Sequence, residues 1–141
     1  MTVIAIGTGA RRWLAVVLAS ADGQLLEAVV EEGAPSVPAL DRALGGLLPA
    51  SGLEAVVVVT GPGSYTGLRA GMAAGLGLAH AAGLPLHGLS SLEATAHSAS
   101  SDHCPILAVV DAGRGGVYVG RFGWADGARW ASGPAERLSL E

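Results

Sequence analysis

The stretch from Ala55 to Ala82 constrains the fold of this chain more than any other. Ala55-Val-Val-Val-Val59 is continuously apolar and mostly β-branched, which predicts a strand covered on both faces, as in a parallel sheet. Gly61-Pro62-Gly63 then turns the chain, and Ser64 or Thr66 is placed to cap a helix. That helix contains Gly67, Gly71, Gly75 and Gly77. Each glycine costs about 1 kcal/mol against alanine, so roughly 3–4 kcal/mol of propensity has to be recovered by packing. A neighbour must therefore lie close against it. At helical spacing Leu68, Met72, Gly75, Leu76 and Ala79 form one stripe, and Gly67, Gly71, Ala74, Leu78 and Ala81 form a second, roughly opposite. The first stripe suits the chain's own sheet. The second, nearly free of bulk, suits a closely approaching helix from this chain or another.

The flanking sequence supplies the rest of an α/β unit. Residues 2–8 read as a buried strand, Gly9-Ala10-Arg11-Arg12 as a turn, and Trp13–Ala19 as a second strand ending at the hairpin signal Ala21-Asp22-Gly23. Leu25–Glu31 is a third. Leu40, Ala43, Leu44, Leu47 and Leu48 recur with helical period, with Ser36 as cap and Pro49 and Gly52 as stops. Gly83 and Pro85 close the glycine-rich helix. Leu84–Leu89 is a fifth strand, and Ser90 with Glu93 forms a capping box for a short helix to about Ala99. Pro105–Asp111 and Val117–Phe122 are two more strands around Ala112–Gly116. From Gly123 no period is visible and the tail is expected to be irregular. The order βββαβαβα followed by ββ predicts an N-terminal subdomain over residues 1–103 and the start of a reduced or truncated second subdomain over 104–141.

Composition excludes several classes. The 141 residues carry a formal charge of −4, and the eight Lys plus Arg are all Arg without a basic stripe, so direct nucleic-acid binding is not expected. A single cysteine, Cys104, permits no internal disulfide and points to a reducing, cytoplasmic setting. No signal peptide is evident, and the apolar runs fall far short of the ~20 residues of a membrane span.

Few residues carry chemistry on their own. Gly61, Gly63, Ser64, Thr66 and Gly67 surround a predicted helix N-terminus, where free amides and the helix dipole favour an anion. The loop lacks a P-loop lysine and the G-x-G-x-x-G spacing, so a structural turn with capping competes with phosphate binding. Ser64 is not in a G-x-S-x-G elbow and has no identifiable base, which ranks a peptidase last. His80, His87, His97 and His103 are scattered and predict no metal site. Cys104 reads as a small buried hydrophobe, Asp22 and Asp111 as turn formers, and Trp13, Trp124 and Trp130 as packing residues.

Val59-Thr-Gly-Pro-Gly-Ser-Tyr-Thr-Gly-Leu-Arg-Ala-Gly71 resembles the signature of the bacterial TsaB (YeaZ) family, of tRNA threonylcarbamoyladenosine synthesis. Pro85–Leu92 and Asp111–Tyr118 fall in the same order, so the likeness covers about residues 1–122. The resemblance implies an actin-like (ASKHA, ribonuclease H-like) fold with a mixed sheet flanked by helices. It also implies a non-catalytic subunit, with no catalytic residue of its own, that pairs with the catalytic subunit TsaD through its N-terminal helices. A TsaE-like ATPase would join them, tRNA would be met only indirectly, and the chain alone would form a homodimer through the same face. In this chain that face is expected at Gly67, Gly71, Ala74, Leu78 and Ala81. No cofactor is assigned to the chain itself, ATP or ADP at the partner boundary being the exception considered. Several departures weaken nucleotide handling further: Gly7 replaces the usual Asp of the first strand, Leu40-Asp41-Arg42 stands where His-Ser-Glu is usual, and Gly113 and Gly116 replace an Arg and a Glu. The alternative from another class is a small ATPase or phosphotransferase using the 61–67 loop and Asp111.

Overall fold

The computed structural model describes residues 2–33, 37–48, 52–99, 104–125 and 128–139. Its elements run β1 (Thr2–Gly7), β2 (Trp13–Ser20), β3 (Leu25–Glu32), α1 (Val37–Leu47), β4 (Leu53–Gly61), α2 (Tyr65–Ala82), β5 (Leu86–Ser90), α3 (Ser91–His97), β6 (Ile106–Gly113), β7 (Gly116–Ala125), β8 (Ala128–Ala131) and β9 (Glu136–Ser139). Two compact units result: Met1–Thr60 with Ser64–Leu89, and Gly61–Gly63 with Ser90–Glu141.

In the first unit five strands form a mixed sheet in the order β3-β2-β1-β4-β5. β1 pairs antiparallel with β2 and parallel with β4, setting Ile4 beside Leu18 and Val56, and Ile6 beside Val16 and Val58. All six side chains are buried and lie on one face, because the strand period of two keeps them in step across the ladder. Ala39, Leu40, Ala43 and Leu47 of α1 and Ala79 of α2 join the same core. Each fully buried Val, Leu or Ile contributes about 1.5–3 kcal/mol. The exposed Arg42 guanidinium makes two hydrogen bonds to Glu31, at 2.6 and 3.2 Å, tying α1 to β3. The Glu31 hydrogen bond, then its charge, raises the Arg42 pKa.

The turns follow the sequence signals. Gly23 has φ +86°, and the Gly23 N–H donates to the Ser20 carbonyl at 2.9 Å. The Ser20 hydroxyl donates to Asp22, and this bond is the main reason the exposed carboxyl lies below its ordinary pKa. Ser36 and Pro49, predicted to cap and stop α1, lie outside the described residues.

The second unit is a four-stranded antiparallel sheet in which β7 pairs with β6 along one edge. Its other edge is shared: Gly116–Val119 take β9, and Phe122–Ala125 take β8. The tail expected to be irregular thus contributes two strands and lengthens β7. Leu92 and Ala96 of α3 pack with Ala108 and Phe122 in a second core. The capping box is present, with Ser90 N–H donating to Glu93 Oε2 and Leu92 N–H to Ser90 Oγ, each at 3.2 Å. Because α3 packs on β6 and β7, it groups with the Ser90–Glu141 part of this unit, while the sequence expectation puts the seam after residue 103. Among the described residues no helix is long and apolar enough to cross a membrane.

Candidate functional site

Helix α2 and its entry carry the candidate anion-loop and interface residues. Gly61 has φ +109°, a conformation open to glycine, and the Gly61–Pro62 bond is cis. Ser64 is the N-cap, its extended backbone at φ −61° and ψ 117° and its hydroxyl accepting from Gly67 N–H at 3.4 Å. Ser64 N–H itself donates to the Gly9 carbonyl at 2.7 Å. Two of the amides that would face an anion are therefore engaged within the chain. Tyr65 and Thr66 are exposed on the first turn, and Gly67 is buried.

Thr8 is the residue that sequence reasoning missed. It is 1% exposed, and its hydroxyl donates to the Gly67 carbonyl at 2.7 Å. A Cβ on Gly67 would fall on the Thr8 carbonyl oxygen, one on Gly71 on Thr8 Oγ1, and one on Gly75 on Val58 Cγ1. No side chain fits in that space. The glycines are there because the end of β1 and the face of β4 lie directly against the helix.

This corrects the facing of the helix. Gly67 and Gly71, expected to meet a partner, point into their own unit, and Ala74 and Leu78 are half-buried against the same core. Of the five expected interface residues Ala81 alone is exposed. From the inward stripe Gly75 and Ala79 are buried as expected, while Leu76 is 60% exposed. The outward surface is Tyr65, Thr66, Arg69, Ala73, Leu76, Gly77, His80 and Ala81. It contains no acid, and Arg69 lies over the Tyr65 ring at 5.3 Å, a cation–π contact on an exposed face.

The remaining candidates each have their own local setting. Asp111 Oδ1 accepts from Gly113 N–H at 2.7 Å, stabilising the β6–β7 turn. His80 and His87 are exposed, His97 Nδ1 lies 3.0 Å from the Glu93 carbonyl, and His103 is outside the described residues. Among the described residues no three His, Cys, Asp or Glu side chains gather to hold a metal. Cys104, expected to be buried, is exposed. Trp13 is 49% exposed and lines a groove with Arg12, Val30, Glu32 and Gly33, none of them in the 61–67 loop.

Comparison with known proteins defines the family. The family described as TsaD, tRNA N6-adenosine threonylcarbamoyltransferase, matches residues 37–130. The chain belongs to this family. Its resemblance within it is to TsaB (YeaZ), and its architecture is that of the actin-like ASKHA fold. A YeaZ structure from Pseudomonas aeruginosa superposes with a TM-score of 0.79 at 26% identity, covering 97% of this chain and 67% of that one. An uncharacterised Mycobacterium leprae protein is 48% identical over 83 residues, 59% of this chain and 21% of the relative. The Bacillus subtilis tRNA threonylcarbamoyladenosine biosynthesis protein TsaB is 39% identical over 75 residues, 53% of this chain and 33% of the relative. The match thus spans well under half of these two curated relatives.

Proposed function

We propose that this chain is a non-catalytic subunit in the synthesis of threonylcarbamoyladenosine on tRNA, docking on a TsaD-like catalytic subunit through the outward face of α2. Family membership supplies the pathway, and one observation carries the docking: an 18-residue helix whose exposed side presents Tyr65, Leu76 and the small Ala73, Gly77 and Ala81 without a single acid. Exposed Tyr and Leu supply burial area, and the small residues let a second helix approach. The same face would form a homodimer when the partner is missing. A TsaE-like ATPase and indirect contact with tRNA, in the cytoplasm, complete the reading.

Co-expression with a tagged TsaD-like subunit tests it. The chain should co-purify stoichiometrically, and Leu76→Arg or Ala73→Glu should abolish capture while leaving the circular dichroism spectrum unchanged. Capture that survives both substitutions would reject the face. The competing ATPase reading draws on the helix N-terminus at Ser64. Calorimetry with magnesium-ATP decides it: saturable binding lost in Asp111→Asn would favour the enzyme, and no heat would favour the subunit.

A further inference from the structure

The inner ridge of α2 is Gly67, Gly71 and Gly75, and its outer ridge includes Tyr65, Arg69, Ala73 and Gly77. Residues two apart on a helix are turned by about 200°, so Tyr65 and Arg69 lie on the far side from Gly67, and Arg69 and Ala73 on the far side from Gly71. Most helices rest on a sheet through interdigitating side chains that can repack. Under the first turns of α2 the glycines remove that layer, and the helix backbone meets the Thr8 carbonyl, the Thr8 hydroxyl and Val58 directly. Two polar bonds tie the same end down. Thr8 Oγ1 donates to the Gly67 carbonyl at 2.7 Å, in addition to the axial bond that an α-helical carbonyl accepts from the N–H four residues on. Ser64 N–H, at the N-cap, donates to the Gly9 carbonyl at 2.7 Å. Thr8 and Gly9 therefore hold both the entry and the first turn of the helix.

We propose that Thr8 is a positioning residue for partner docking: its hydroxyl fixes the height and rotation of the first turns of α2, and so sets the affinity of the outer face for the catalytic subunit. The inference rests on the docking assigned above to that face. At 1% exposure Thr8 cannot meet a partner itself, so its influence has to pass through the helix. Packed helix faces are sensitive to small displacements, because a gap of about 0.5–1 Å already forfeits a quarter to a half of an atomic contact's attraction. Valine at position 8 has the shape of threonine without its hydroxyl, so the Gly67 carbonyl loses its lateral bond and the first turn is free to roll, carrying Tyr65 and Arg69 with it. Serine keeps the hydroxyl and the bond.

Titration of the full chain against a tagged TsaD-like subunit, well below every melting transition, tests the proposal. Thr8→Val should weaken binding about tenfold, which corresponds to one hydrogen bond's bias toward the docked pose, and Thr8→Ser should recover it to within about twofold. Val16→Ala empties part of the core in β2, beneath α1, and should lower stability without moving the affinity, which separates positioning from stability. In the isolated chain the amide resonances of Tyr65, Arg69 and Ala73 should move in Thr8→Val and stay in place in Val16→Ala. Should Thr8→Val fail to fold, Gly71→Ala gives a second readout, because its methyl must lift α2 off the Thr8 hydroxyl and should weaken binding likewise. Unmoved amides in Thr8→Val would overturn the positioning role whatever the partner. So would a captured wild type whose affinity is unchanged in Thr8→Val or Gly71→Ala, or is lowered as much by Thr8→Ser or Val16→Ala, and each of these would leave the docking face standing. A wild type that is not captured would overturn the docking face and this role with it.

Discussion

The two sheets start alike and are stabilised differently. In the first, β1 is central: strands flank it on both sides, α1 and α2 cover one face, and α2 is held so close that three successive inward positions are glycine. In the second, the strand flanked on both sides is β7, which borrows two short strands from the tail, while one seven-residue helix supplies the cover. The first unit is fixed by fit and the second by a few large contacts. Substitutions should separate the two modes.

The largest effect is expected in the second unit, where Phe122 is the single large aromatic of a small core. Phe122→Ala should destabilise it by about 3–5 kcal/mol. Hydrogen exchange should show protection lost first across β6, β7 and α3. Next comes Gly71→Leu, which has no room against Thr8 and should cost about 3 kcal/mol, the upper end for overpacking. At roughly 4–8 °C per kcal/mol for a unit of this size, the melt should fall by more than about 12 °C, with protection lost first in β1 and α2. If either variant loosens both sheets equally at first, the distinction between them fails.

Smaller changes sharpen it. Thr8→Val keeps the shape but leaves the buried Gly67 carbonyl without the Thr8 hydroxyl, a loss of about 1–3 kcal/mol by chemical denaturation. The smallest effect belongs to the exposed turn at Asp22. Its carboxyl titrates below its ordinary value when folded, so the bond to Ser20 adds stability above the unfolded pKa. That contribution is lost as the pH falls through the lowered folded value. Asp22→Asn should slightly lower stability at neutral pH, make no difference at the acid end, and so flatten the acid limb of a denaturation series.

Much of the fold was legible because strand alternation, turn glycines and caps are local. The hairpin at Asp22-Gly23, the cap at Ser64 and the box between Ser90 and Glu93 are signals contained in a few residues, and each element through β7 follows from them. The helical wheel of α2 was legible too, but not its orientation. Bulk is the inward signal that the sequence offers, whereas the inward positions are those where backbone and a threonine come closest, and that proximity joins residues about 60 positions apart. Cys104 was misplaced because residue type does not fix burial beside a loop. The tail's strands were missed for lack of period, although Asp126-Gly127 is a hairpin dipeptide and the flanking Ala125 and Ala128 are paired.

The wedge of Thr8 against α2 makes positions 8 and 71 interdependent. Enlarging Gly71 to alanine is blocked by the threonine hydroxyl, yet trimming Thr8 to glycine removes the obstructing atoms and vacates the volume that a methyl needs. The two changes together should therefore be milder than the sum of each alone, a non-additivity that a double-mutant cycle reads directly. Among natural variants, a side chain at 71 should be met mainly where residue 8 has shrunk.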